Sequence, residues 1–338
     1  IITTDVGGTD PDDLQSFVHS ITCANEFDLE GIIVGHPWTE VNLDLAETRI
    51  KSVIDAYETC LPNLKKHAQG WPDPEYLRSI IKKGQTKARF RGGCGEGKDS
   101  PGSELILAAV DKKDDPRPVW VNAWGGANTI AQVFWKVKNK RTEEDVKKLL
   151  NKIRIYDILG QCDAGSWVAK NFPGVIWIRN STGVYGWAPN KGWTASNVQS
   201  KGPLGKVYPT SKWATEGDSP AWFHVTSRGL NNPDAVDQGG WGGRHGPEPR
   251  TGVKIFGWAE KDAICNAHDK ELRPYKIYTN TGEGTVSISK WKNDIYNNQS
   301  ARMDWTIKSS YKEANHLPKA VLNGDSTMQI LEMTVSAG

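Results

Sequence analysis

Four carboxylates crowd into nine residues near the start of the chain, in the run Thr3-Thr4-Asp5-Val6-Gly7-Gly8-Thr9-Asp10-Pro11-Asp12-Asp13. The run follows the apolar pair Ile1-Ile2 and precedes Leu14, Phe17, Val18 and Ile21, whose i, i+3, i+4, i+7 spacing marks an amphipathic helix. A strand therefore enters this turn and a helix leaves it. Glycines allow backbone angles that let the acids converge, and Asp12 and Asp13 sit where negative charge favours a helix start. Acids a few ångströms apart cannot all stay ionised unless they share a cation or take up protons at raised pKa. A capped helix start with solvated acids explains one or two such residues; four on a Gly-Gly turn point to a shared cation. Oxygen donors without nearby Cys or His suit a hard ion, so Ca²⁺, which accepts about 6–8 oxygens in flexible geometry, is expected before zinc.

The same strand-helix rhythm continues. Gly31-Ile32-Ile33-Val34 reads as a short buried strand, and Val41, Leu45, Ile50, Val53, Ile54 and Tyr57 as a helical stripe. Residues 70–102 are rich in Pro and Gly and read as loop, with one short helix around 76–82. Val119-Trp120-Val121 is the next strand, followed by a Gly125-Gly126 turn and a helix presenting Ile130, Ala131 and Phe134. Thr142 with Asp145 predicts a capping box for a helix through Leu150, and Ile153-Arg154-Ile155-Tyr156 predicts another strand. Such alternation implies an α/β fold, a mostly parallel sheet flanked by helices, with ligands beyond the carboxyl ends of the strands. Residues 180–252, rich in Gly, Pro, Asn and Trp, read as long functional loops. The expected division is a main domain over 1–265 and a C-terminal extension over 266–338. The extension holds a polar helix at 289–301 and a strand from Met328 to Val335 that could open a β-sandwich.

Composition narrows the partners. Lys and Arg number 42 against 40 Asp and Glu, a net charge of +2, so no broad footprint for nucleic acid or an anionic membrane follows. No apolar run approaches the roughly 18–20 residues that span a bilayer. The five cysteines form no CxxC pair, which argues against structural zinc and leaves an odd thiol if disulfides form. Asn180-Ser181-Thr182 and Asn298-Gln299-Ser300 are glycosylation sequons that would matter in a secreted glycoprotein. The 15 Trp can fill core or grip sugar rings.

The acidic turn resembles the N-terminal aspartate motif of nucleoside hydrolases. It is closer still to the variant with an inserted Gly-Thr-Asp-Pro found in the nucleoside-hydrolase-like domain of cellulose-binding proteins. Trp124-Gly125-Gly126-Ala127-Asn128-Thr129-Ile130-Ala131 looks like the Gly-Gly turn of that superfamily. Gln161-Cys162-Asp163-Ala164-Gly165, Glu216-Gly217-Asp218-Ser219-Pro220 and Gly239-Gly240-Trp241-Gly242-Gly243-Arg244 are also similar to this subfamily. The resemblance implies that Asp5 contacts a metal and activates water, that Asp13, the Trp124 carbonyl and Asp218 complete the ligands, and that Asp12 reaches a ribose hydroxyl. Departures are Glu216-Gly217 where the family has His before the late aspartate, His36 where it has Asn, and the insertion from Gly8 to Pro11.

Further candidates are His36 as a sugar contact or acid and Glu216 as a supporting acid. Asn128 is placed as helix cap or ligand contact, Asp163 and Trp167 on the rim, and Trp241 on a lid or a tight loop, with His245 beside it. The function implied is a secreted, Ca²⁺-dependent hydrolase of glycosidic bonds, foremost the N-ribosyl bond of nucleosides. The alternatives are a non-catalytic carbohydrate-binding protein on the same scaffold, or a structural calcium site. The partner is a small-molecule nucleoside or carbohydrate, and oligomeric state stays open.

Overall fold

A computed structural model describes residues 1–8, 10–37, 39–172, 174–180, 183–226, 228, 232–247, 277–280, 283–318 and 321–325. Among the described residues eight strands make one sheet: β1 (Ile2–Thr4), β2 (Ile32–Val34), β3 (Ile81–Lys83), β4 (Val119–Ala123), β5 (Ile153–Ile158), β6 (Ile176–Asn180), β7 (His245–Pro247) and β8 (Ile277–Asn280). Their order is β3-β2-β1-β4-β5-β6-β8-β7, with every pair parallel except β7 against β8. The mostly parallel sheet expected from the sequence is present.

Strand residues alternate between the two faces, as the period of two requires. Ile2, Ile32 and Val34 join a core on one face with Phe17, Val18 and Ile21 of α1 (Asp12–Ile21). Ile1, Ile33 and Val121 join a core on the other with Ile130 and Phe134 of the helix Ala127–Lys140. The helix α2 (Leu43–His67) covers the first face and starts where the Asn42 side chain accepts from the Leu45 N–H at 3.0 Å. The Thr142–Asp145 box caps the helix Glu143–Lys152 as its sequence predicts.

Several boundaries differ from the expectation. The stretch read as loop holds its expected short helix at Pro74–Ser79, but also β3 and the start of the helix Pro101–Val110. β3 escapes a pattern search because only Ile81 is fully buried while Lys82 and Lys83 are half-buried on an edge strand, where Lys discourages further pairing. Residues 180–252 also carry short helices, among them Ser219–Val225.

Described elements on both sides of residue 265 meet in the sheet and in side-chain hydrogen bonds. β8 lies between β6 and β7 in the sheet. Helix Lys292–Trp305, where a polar helix was expected, sends Gln299 to Glu216 at 2.5 Å and Arg302 to Asn25 at 2.6 Å. His316 meets His67 of α2 at 3.0 Å between ring nitrogens. The expected strand Met328 to Val335 and Cys265 lie outside the described residues. The other four cysteines are buried and free. Both sequon asparagines, Asn180 and Asn298, are buried. Among the described residues no helix is long and apolar enough to cross a membrane.

Phe223 is fully buried, 4.5 Å from the Trp222 ring and 5.0 Å from that of Trp187. Phe223→Ala is expected to cost about 3–5 kcal/mol of unfolding free energy in a urea titration. A loss below about 1 kcal/mol would mean that this aromatic layer does not hold the sheet to its helices.

Candidate metal centre

β1 lies between β2 and β4, so the connections leaving β1 and β4 diverge and open a crevice at their carboxyl ends. Asp5 directly follows β1, and Trp124-Gly125-Gly126 directly follows β4. The two ends are laced together by the Trp124 N–H donating to the Thr3 carbonyl at 2.8 Å and by the Thr3 hydroxyl donating to the Gly125 carbonyl. A Cβ on Gly125 would lie 2.7 Å from both Cβ and Cγ of Asp5, so only glycine lets the carboxylate stand there. Gly126, at φ +70°, turns the chain into the next helix.

Asp12 and Asp13 open α1, and Asp218 directly precedes helix Ser219–Val225. A carboxylate oxygen from each of Asp12, Asp13 and Asp218 lies within 4.8 Å of the others. Asp5 adjoins through a carboxyl–carboxyl hydrogen bond to Asp13, which also accepts from the Thr4 hydroxyl. All four are buried, and Oδ2 of Asp218 has no partner. Two like charges about 5 Å apart repel by about 3 kcal/mol at an effective dielectric of about 20, so several such pairs cannot remain ionised and uncompensated. Burial, aided by the neighbouring carboxylates, accordingly pushes Asp12, Asp13 and Asp218 well above the usual carboxylate range. Burial likewise raises Asp5 to about 7. An oxygen-only donor set with an orphaned carboxylate oxygen suits a hard divalent cation.

Glu216 is placed otherwise than expected. It is fully buried and receives Tyr208 OH at 2.8 Å, Ser219 Oγ at 2.8 Å and Gln299 Nε2 at 2.5 Å, with His19 Nδ1 2.7 Å away. Burial pushes its carboxyl up, but the His19 charge and these donors outweigh that and leave it below the usual range. A carboxylate so engaged has no proton to give and does not line the crevice. Its work is to pin a turn: Glu216 sits at φ +50°, and Gly217 follows, where a Cβ would meet Tyr185 Cε1 at 2.4 Å and Asp12 Oδ2 at 2.6 Å.

Most other sequence candidates are engaged by neighbouring groups of the chain. The His36 Nδ1 accepts from the Val41 N–H at 3.0 Å, which ties down the loop above it, and burial lowers its pKa. Gly126, not Asn128, caps the helix Ala127–Lys140; Asn128 Nδ2 instead donates to the Lys87 carbonyl at 2.8 Å. Asp163 accepts from the Phe90 N–H at 2.9 Å, and Trp167 stacks on Phe90 at 4.2 Å. Trp241 is buried against Phe223, 5.9 Å between rings, so it is core and not a lid. His245 is buried, with its pKa lowered by burial to about 3. The Trp124 carbonyl accepts from Gln161 Nε2 at 2.8 Å, with its second lone pair left over.

The acids open onto a cavity of about 570 Å³ whose wall includes Asp5, Asp10, Asp12, Asp13, Asn42, Leu159, Gln161, Tyr185 and Trp213. Tyr185, Trp213, Leu159 and Asn42 went unrecognised in the sequence. Tyr185 OH is 3.5 Å from Asp12 Oδ2, and Trp213 is 64% exposed, an unusual position for so large an apolar ring. Leu159 adopts φ +63°, a strained backbone at a cavity wall. The only sequence signal for these residues was the Trp-rich loop texture.

The family model described as cellulose-binding Sde182, nucleoside hydrolase-like domain, matches residues 1–245. Among solved structures the chain is similar to a nucleoside hydrolase-related hypothetical protein from Saccharophagus degradans that is associated with carbohydrate metabolism. The two share 46% sequence identity with a TM-score of 0.84, over 96% of this chain and 76% of that one. No curated protein matches. A nucleoside hydrolase-like fold suggests metal use, in keeping with the buried aspartates.

A carboxyl whose pKa rises on folding keeps a proton that the unfolded chain has already released, so its contribution to stability is present at low pH and fades as pH rises. For Asp5 that window runs from 3.8 to about 7. In chelator, the melting temperature is therefore expected to carry a component that falls between about pH 4 and pH 7. Added Ca²⁺ should raise it most at the upper end. An identical pH profile with and without Ca²⁺ would show that the aspartates hold no ion.

Proposed function

The chain belongs to the nucleoside hydrolase-like domain family of cellulose-binding Sde182, and from that premise we propose a Ca²⁺-dependent hydrolase that cleaves a glycosidic bond, foremost an N-ribosyl bond. The observation that carries this reading is the buried Asp12, Asp13 and Asp218 triple beside Asp5, with Asp5, Asp12 and Asp13 on the wall of a cavity of about 570 Å³. Asp5, Asp12, Asp13, Asp218 and the Trp124 carbonyl are the groups that would hold Ca²⁺. When bound there, the ion supplies a Lewis acid that holds sugar hydroxyls and acidifies water.

The remaining chemistry belongs to the chain. Asp5, held near the cavity floor by the Gly125 approach, takes the proton of the attacking water. Asp12 and the Tyr185 hydroxyl beside it accept and donate toward a sugar diol. Burial keeps the Tyr185 phenol protonated, so it remains a donor. Cleavage develops positive charge on the sugar ring, and the surrounding carboxylates stabilise it. The walls formed by Leu159 and Trp213 limit water around the ring.

A second reading, carbohydrate binding without turnover, is favoured by a specific observation. Glu216, expected as a supporting acid, is held by His19, Tyr208, Ser219 and Gln299 and has no proton to give a leaving base. The exposed Trp213 face on its wall is the kind of surface on which sugars stack. The family description adds cellulose binding as its own suggestion.

Ribose release from inosine and uridine, measured with and without chelator, separates the two. Catalysis predicts that chelator stops release and that Asp5→Asn lowers kcat/KM by about 10²–10⁴-fold. Retention on insoluble cellulose with no release from any nucleoside would replace hydrolysis by binding.

A further inference from the structure

We propose that the sugar site extends into a second hollow that receives an anionic substituent, a phosphate or a carboxylate, on the bound sugar; this rests on the reading that the acid cavity takes a sugar. A hollow of about 360 Å³ adjoins the acid cavity and shares Gly8 and Asp10 with it. A ligand seated over the aspartates can therefore cross the Gly8–Asp10 wall without leaving the surface. Gly8, Asp10 and Pro11 of the acidic turn line this hollow together with Leu14 of α1.

Its charge is opposite in kind to the cavity beside it. Arg49, projecting from α2, and Lys212 both line it, and neither forms an ion pair with another described residue. On the same helix Lys51 pairs with Glu47 at 2.6 Å. Lys212 lies 4.1 Å from the centroid of the Trp213 ring, which keeps its ammonium at the junction of the two hollows. Asp10 is the acid on the shared wall, and its buried Oδ1 has no partner. Two cations against one such acid leave net positive charge, and an unpartnered carboxylate oxygen can accept a hydroxyl of the ligand as it crosses. A guanidinium and an ammonium converging on one hollow match phosphate or carboxylate oxygens, the guanidinium as a two-pronged donor. The competing role for this pair is to offset the field of the aspartates with no ligand involved.

Calorimetric titrations of the whole chain in Ca²⁺ would compare ribose with ribose 5-phosphate, and glucose with glucuronate. The expected result is about tenfold tighter binding of the anionic member of at least one pair, as one charge-assisted contact provides. Lys212→Ala and Arg49→Ala should erase that preference, and so should raised salt. A preference confined to ribose 5-phosphate assigns a phosphate ligand, and one confined to glucuronate assigns a uronic acid. Equal binding of neutral and anionic sugars would overturn the subsite while leaving the sugar site intact, and tighter Ca²⁺ binding without the two cations would assign them to offsetting the aspartates. Absence of binding by all four sugars would remove the sugar site and the subsite together.

Discussion

Carboxylates sunk in a low-dielectric wall repel one another, and the backbone around Asp5, Asp12, Asp13 and Asp218 has to hold them together against that repulsion. It does so with rigid pieces. Two adjacent parallel strands deliver Asp5 and the Gly125 turn, a helix start delivers Asp12 and Asp13, and a strained turn at Glu216 delivers Asp218. Gly125 and Gly217 occupy the two places where a side chain would strike an aspartate. The arrangement is compatible with protons or with a cation, and the choice between them sets how the protein responds to pH.

Glu216 shows how such a site is anchored. Removing one partner from a buried charge network costs about 3–5 kcal/mol, because the remaining charge stays buried and unpaired. The network reaches His19 on α1, Tyr208, Ser219 and Gln299, so the helix that carries Asp12 and Asp13 and the turn that carries Asp218 share one fastening. Displacing either element would disturb both.

What the sequence made legible was whatever is local. The strand, acidic turn and helix are contiguous, and each has its own period, so the parallel sheet and the gathering of Asp12 and Asp13 could be read directly. That Asp218 joins them, about two hundred residues later, came only through family resemblance. Pairwise geometry was hidden. Nothing near Glu216 in the chain indicates that the distant His19 and Gln299 would engage its carboxylate, and a Gly-rich surround made Trp241 look mobile when it is packed on Phe223. Tyr185 and Trp213 were illegible for the opposite reason: their role comes from a cavity that exists only after folding.

Gln299 and Arg302 sit more than fifty residues beyond the last position matched by the family model, yet they fasten to Glu216 and to Asn25 near the start of the chain. A gene fragment trimmed to the matched segment would therefore discard part of the keystone while keeping Asp5, Asp12, Asp13 and Asp218. Such a truncation would show the metal-binding signature on paper and lack the scaffold that shapes it. Recombination or engineering has to treat the opening acidic turn and this late helix as a single inherited unit.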